Sequence, residues 1–196
     1  TRDLVELAVR MGRTQGPVDT SASPPREWRG GDRSAFWVHD IERQRYFQVQ
    51  ATLEAVTDNA YLWVQEGQSA AREAIAGAGT AFSDEIVPDL RATFGAEASP
   101  GIDGDARMHV LHHENIPGVA GYFSSTDLLP VAVDPYSNRH EMFYVNLTTY
   151  RPGSYSYLSL LAHEYQHMIH AAHDPDEPVW VNEGLSELAA VIAGYG

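Results

Sequence analysis

His163, Glu164 and His167 stand in the pattern H-E-x-x-H, inside the run LAHEYQHMIHAAHDPDEPVWVNEGLSE from Leu161 to Glu187. On a helix, residues four apart share a face, so both imidazoles could point at one metal ion with Glu164 carried beside it. Two imidazoles and a carboxylate suit zinc, which takes nitrogen and oxygen donors in a tetrahedral array and in catalytic sites leaves one position to water. A chain with these His and Glu frequencies produces the pattern by accident in roughly 3 of 100 cases. A third ligand therefore has to decide between a metal centre and a helix that merely carries histidines.

Two residues compete for that place. His173 gives H-E-x-x-H-x-x-H-x-x-H, which imitates the metzincin pattern. That pattern needs a glycine where His170 stands, because the chain must leave the helix sharply there, and a later methionine, whereas none follows Met168. Glu183 is the other candidate. After the loop Asp174–Pro178, apolar Val181, Leu185, Leu188, Ala189 and Ile192 resume a helical period, so a second helix would carry Glu183 back over the His163/His167 face. Glu187, one turn on, would then accept the outer N–H of a ligand imidazole. Two such carboxylates alone would read as solvated groups on an amphipathic helix; behind H-E-x-x-H they complete a ligand set.

The elements that must position these groups can be read from spacing. Leu158, Leu161, Ala162, Tyr165, Met168, Ile169 and Ala172 recur at helical intervals, Pro152-Gly153-Ser154 supplies the start with Ser154 as N-cap, and nothing before Pro175 breaks the run. Upstream, Phe36–Val38 and the alternating stretch Tyr46–Val56 read as strands, and a turn at Asp58-Asn59 leads to a return strand Tyr61–Val64. Ser69–Ala76 and Phe82–Phe94 carry helical spacing, the second with Pro88 predicting a kink or a late start. Met108–His112, Gly118–Ser124 and an alternating Glu141–Leu147 follow as strands, which makes the chain mixed α+β. Residues 1–34 read as an N-terminal arm or linker with a short amphipathic helix at Leu4–Met11, and residues 35–196 as one domain.

HEYQH followed by WVNEGLSE resembles the gluzincin clan of zinc peptidases, and LAHEYQHMIH with WVNEGLSELA is similar to the hyicolysin-like neutral metallopeptidases. The likeness continues through Ile102–Leu111, Gly118–Phe123 and Glu141–Asn146, spanning about residues 36 to 193. It implies a zincin-like fold, a twisted mixed β-sheet packed on helices, with His163, His167 and Glu183 as zinc ligands and Glu164 as general base. It nominates Gly121, Tyr122 and Phe123 as the sheet edge that pairs with an extended substrate. It also implies a compact loop between the two helices, and a helical lobe beyond the second one that a chain ending at Gly196 would lack. The activity implied is zinc-dependent peptide-bond hydrolysis within protein or peptide chains. The alternative from another class is a zinc-binding interaction domain that has lost catalysis, and an intact Glu164 argues against it.

Composition narrows the partners. The chain has 196 residues, enough for one substantial core, and a formal charge of −14, which would repel nucleic acid and anionic membranes. It has no cysteine and no run long enough to span a bilayer, and it starts at Thr1 without an initiator Met or a signal peptide. An acidic, thiol-free peptidase suits a secreted setting, with leading residues removed or left out. Asp103-Gly104-Asp105 is the one place to consider calcium, but two carboxylates are too few oxygens and an acidic turn is the favoured reading. His109, His112 and His113 are expected to be packing or surface histidines. For the oxyanion donor, Tyr122, His170, His173 and Tyr195 are all open candidates.

Overall fold

The structure is a computed structural model that describes residues 4–12, 14, 18, 24–68, 70, 72–114 and 119–196. Ser69, Gly118 and most of the expected linker between Arg13 and Ser23 lie outside the described residues. A six-stranded sheet has the order β1-β2-β3-β4-β6-β5, with β1 Arg33–Asp40, β2 Arg45–Val56, β3 Ala60–Gln65, β4 Met108–His113, β5 Gly121–Phe123 and β6 Met142–Asn146. β1, β2 and β3 form an antiparallel meander, β3, β4 and β6 run parallel, and β5 returns antiparallel to β6 at the edge. The hairpin between β2 and β3 is the one expected from the alternation around Asp58-Asn59.

β6 departs from the sequence reading. All five of its residues are buried, where alternation predicted one solvated face. The cause is position: a strand inside a parallel stretch is covered on both faces, so its polar-looking residues are enclosed too. Trp28, within the stretch read as an arm, is also buried and stands edge-on to Trp63 with ring centroids 4.9 Å apart. It joins Phe36, Val38, Leu53, Leu111 and Tyr144 in the core on one face of the sheet.

The other face carries the helices. α1 is Leu4–Arg10, α2 Arg72–Ala81, α3 Val87–Phe94, α4 Tyr155–His173 and α5 Val179–Ile192. Between α2 and α3 the chain takes a π turn at Phe82–Ile86, with Pro88 in the first turn of α3. Pro88 has no N–H to give, and the widened turn lets the helical path continue past it, so the expected kink takes the form of a π bulge. Phe82, Ile86 and Leu90 from this path pack with Leu62, Val110, Phe143, Leu161 and Tyr165. Each such side chain contributes roughly 1.5–3 kcal/mol by leaving water.

α4 is capped as expected, the Ser154 hydroxyl accepting from Tyr157 N–H at 3.3 Å. Its buried side is pinned at two depths. Tyr157 donates its hydroxyl proton to His112 Nε2 at 2.7 Å, while His112 Nδ1 lies 2.7 Å from the Trp63 carbonyl and gives its proton there. One helical stretch later, Tyr165 donates to Glu97 Oε2 at 2.5 Å, and Arg91 of α3 is paired with the same carboxylate. These bonds fix both the rotation and the height of α4 on the sheet, and with them the direction of its opposite face.

Candidate metal centre

The opposite face of α4 carries His163 and His167, whose Nε2 atoms lie 3.1 Å apart. α5 packs against this face, and its contacts move backward along α4: Asn182 and Ser186 meet His167, and Glu187 meets His163. The two helices therefore cross in opposite senses, through the loop Asp174–Pro178. Glu183 Oε2 lies 3.5 Å from His163 Nε2 and Glu183 Oε1 3.8 Å from His167 Nε2. Donor atoms on a tetrahedral zinc with bonds of about 2.0–2.1 Å are separated by roughly 3.3 Å, so the three side chains already stand close to the spacing that such an ion requires.

Proton placement points the same way. The Ser186 hydroxyl donates to the Asn182 carbonyl at 3.1 Å, which leaves its lone pair, with Asn182 Oδ1, facing His167 Nδ1 at 3.2 and 2.9 Å. Both neighbours accept, so Nδ1 carries the proton and Nε2 is a bare lone pair. Glu187 Oε1, 3.5 Å from His163 Nδ1, favours the same tautomer there. Burial, followed by repulsion from His167, holds the His163 imidazole below its ordinary pKa. Two imidazole Nε2 atoms and a carboxylate thus converge, a donor set that a cation would satisfy.

Glu164 lies beside this cluster, 4% exposed, with Oε2 lacking any hydrogen-bond partner. Burial, and then the charge of Glu183, push its carboxyl up to about 8, against a hydrogen bond from the Phe123 N–H. A cation held by the neighbouring donors would favour the ionised form.

The cleft in front of these groups has a volume of about 440 Å3 and is walled on one side by β5. Asn146 N–H donates to the Ala120 carbonyl, so by antiparallel alternation Tyr122 faces β6, while Gly121 and Phe123 turn their main-chain groups to the open side. Glycine at 121 has a steric reason. A Cβ there would lie 2.7 Å from the Tyr144 carbonyl oxygen and 2.9 Å from a Leu160 methyl, so a larger residue would push the edge strand away from α4.

His173 is turned away from the cluster and lies 2.9 Å from the Ala96 carbonyl, beyond the end of α3, so the metzincin-like ligand set is not assembled. Of the oxyanion candidates, the Tyr122 hydroxyl accepts from His39 N–H on the far side of β5, and Tyr195 donates to Glu85. His170 alone of the four has its side chain on the cleft without a protein hydrogen bond at Nε2 among the described residues, but that atom is buried. The residues that sequence reasoning missed are Asn182 and Ser186. Their signal was the repeat N-E-G-L-S-E, in which each polar neighbour recurs one helical turn on.

A second grouping, Asp103, His109 and His140, has donor atoms within 4.8 Å of one another. His109 Nδ1 accepts from the Trp63 indole N–H at 3.0 Å. Its proton must then sit on Nε2, 3.5 Å from Asp103, where a metal would need a lone pair. His140 Nδ1 lies 2.6 Å from the same carboxylate. Asp103 and Asp105 also cap the backbone N–H groups of Asp105 and Arg107, and Asp105 accepts from Tyr61. The acidic turn is thus engaged within the protein, as the turn reading expected, and His109, His112 and His113 are buried packing groups.

No family model matches the chain. Over 153 residues it is 29% identical to the neutral metalloprotease ShpI of Staphylococcus hyicus, an alignment covering 71% of this chain and 34% of that protein. The chain thus spans about a third of the length of the curated relative that it matches. This likeness supports a distant relationship to metalloproteases.

Proposed function

We propose that the chain is a zinc metallopeptidase that cleaves peptide bonds within protein or peptide substrates, with His163, His167 and Glu183 as the zinc ligands. The observation that carries this reading is the convergence of three potential metal donors, His163 Nε2, His167 Nε2 and a Glu183 carboxylate, at separations of 3.1, 3.5 and 3.8 Å. Zinc in such a set lowers the pKa of water and polarises a carbonyl. Glu164 takes the proton of the attacking water and delivers it to the leaving amine, and its burial against Phe123 N–H keeps one oxygen fixed while Oε2 is free to move the proton. The main-chain groups of Gly121 and the carbonyl of Phe123 line the outer edge of β5, which suits an extended peptide lying through an open cleft rather than one held by its terminus. Asn182, Ser186 and Glu187 orient the two imidazoles. Among the described residues no helix is long and apolar enough to cross a membrane, and we place the activity outside the cell.

The test is zinc content and peptide cleavage measured on the same preparations. One zinc per chain, cleavage abolished by a chelator and restored by zinc, and a loss of about 100-fold or more in kcat for Glu164→Gln with zinc retained are the expected results. Full cleavage by Glu164→Gln would sink the general-base role. Zinc content indifferent to Glu183→Ala would sink the ligand set.

A further inference from the structure

A second cavity, of about 450 Å3, lies behind the cleft. Ala171 lines both cavities, and it follows His167 by four residues on α4, so the two spaces lie on either side of a residue one helical turn from a candidate ligand. Pro100, Ile102, Leu128, Pro130 and Met168 give this cavity apolar walls, and Glu141 is the one charged group among its lining residues. We propose that the cavity receives a lysine or arginine side chain of the substrate, with Glu141 as the anion that selects it; this rests on the peptidase reading and names the class of residue that the site would prefer.

Glu141 is 5% exposed, and among the described residues it has no Lys, Arg or His in ion-pair contact. Its two oxygens accept from the Ile102 N–H at 2.9 and 3.1 Å, with its own backbone N–H assisting. A buried carboxylate held by backbone donors alone is costly to keep, and the chain makes room for it. A Cβ at Gly101 would fall 1.6 Å from Glu141 Oε2, so the main chain passes against the carboxylate at a point where only glycine fits. Burial raises the Glu141 pKa and the nearby charge of Asp103 adds to the rise, against the backbone hydrogen bonds and the charge of His140.

The shape and charge suit one kind of guest. The aliphatic stem of Lys or Arg can lie along proline, isoleucine, leucine and methionine walls while the cationic head reaches a carboxylate. A neutral apolar side chain would fill the walls but leave Glu141 unpaired. The formal charge of −14 draws cationic peptides toward the molecule from a distance. Val5 of α1 stands at the rim, so the N-terminal helix borders the entrance.

The experiment uses the zinc-loaded chain and a set of peptides that differ at one residue, Lys, Arg, norleucine or Gln, moved in turn through the positions flanking the cleaved bond. At one position the basic peptides should be cut with kcat/KM at least about tenfold above norleucine. Glu141→Gln, which keeps an acceptor for Ile102 N–H, should bring that ratio to about one, and Leu128→Trp, which fills the cavity, should do the same with Glu141 intact. No basic preference at any position, or a preference that both folded variants retain, overturns the proposal. If zinc-loaded chain cleaves no peptide at all, the peptidase reading fails, and binding decides the cavity separately. Nα-acetyl-lysine methylamide should then perturb the amide NMR signals of Ile102 and Leu128 more strongly than its norleucine counterpart, with the difference lost in Glu141→Gln. Equal perturbation by the two, or none, overturns the assignment.

Discussion

Replacing Asn182 by alanine removes the acceptor that stands 2.9 Å from His167 Nδ1 and fixes which nitrogen of that ring carries the proton. Loss of such a partner behind a metal-bound histidine costs about 10- to 100-fold in metal affinity, or roughly 1.4–2.7 kcal/mol. Ser186 decides where in that range the variant falls. Its oxygen is 3.2 Å from the same nitrogen, fully buried, and already turned to accept because its proton goes to the Asn182 carbonyl. Asn182→Ala alone should therefore weaken zinc binding by about tenfold, since Ser186 can hold the tautomer. Asn182→Ala with Ser186→Ala should approach 100-fold and exceed the product of the single changes, because each residue covers for the other. Glu187→Ala sets the contrast: at 3.5 Å and with a side chain 79% exposed, it should cost less than about threefold. Competition against a chromophoric zinc chelator at fixed pH reads wild type and the four variants, Ser186→Ala alone included. Wild-type affinity in the double variant, or a larger loss from Glu187→Ala than from the pair, would refute the proton assignment from which these magnitudes were worked.

Other outcomes follow from the same coordinates. His173→Ala should leave zinc content and affinity unchanged and lower stability by about 1 kcal/mol, because the ring lies against Gly95 and bonds to the Ala96 carbonyl rather than to the cluster; loss of zinc would restore it as a ligand. Burial holds His109, His112 and His113 at about 4, so as pH falls below 6.5 the unfolded chain takes up protons that the folded chain refuses, and stability drops. Each histidine contributes about 1 kcal/mol of that loss by about pH 5.5, offset in part by Glu164, raised to about 8 in the metal-free fold, and below pH 6 by Asp127, which burial raises to about 6. Urea titrations across this range should show the decline, and a flat profile would contradict the burial of these rings. Gly101→Ala should destabilise the fold by at least about 2 kcal/mol, because its Cβ would overlap Glu141 Oε2; an unchanged urea midpoint would mean that the carboxylate can move away.

Much of the framework was legible because it is local. The period from Leu158 to Ala172 and the Ser154 cap predict α4, the pattern around Asp58-Asn59 predicts the β2–β3 hairpin, and Val181–Ile192 predicts α5. In each case the apolar spacing of a single element carries the information. β6 was read as alternating although Met142–Val145 is a continuous apolar run, and what covers its two faces depends on strands and helices far away in the chain. Tyr122 illustrates the same limit. It was open as an oxyanion donor until the pairing of β5 with β6 turned its hydroxyl toward His39.

The sequence by itself determined the face: residues four apart on one helix place His163 and His167 together whatever surrounds them, and a polar pair one turn apart on the next helix offers Glu183 and Glu187. Tertiary structure alone decided the register in which α5 crosses α4. That register sets Asn182 and Ser186 on His167 and brings Glu183 to 3.5 Å from His163, while the packing of α4 beside α3 sends His173 to Ala96. It likewise brought Glu141 against Gly101, forty residues away. The physical reason is that periodicity records which side of an element avoids water, whereas the partner covering that side is chosen by packing among elements that no local pattern connects.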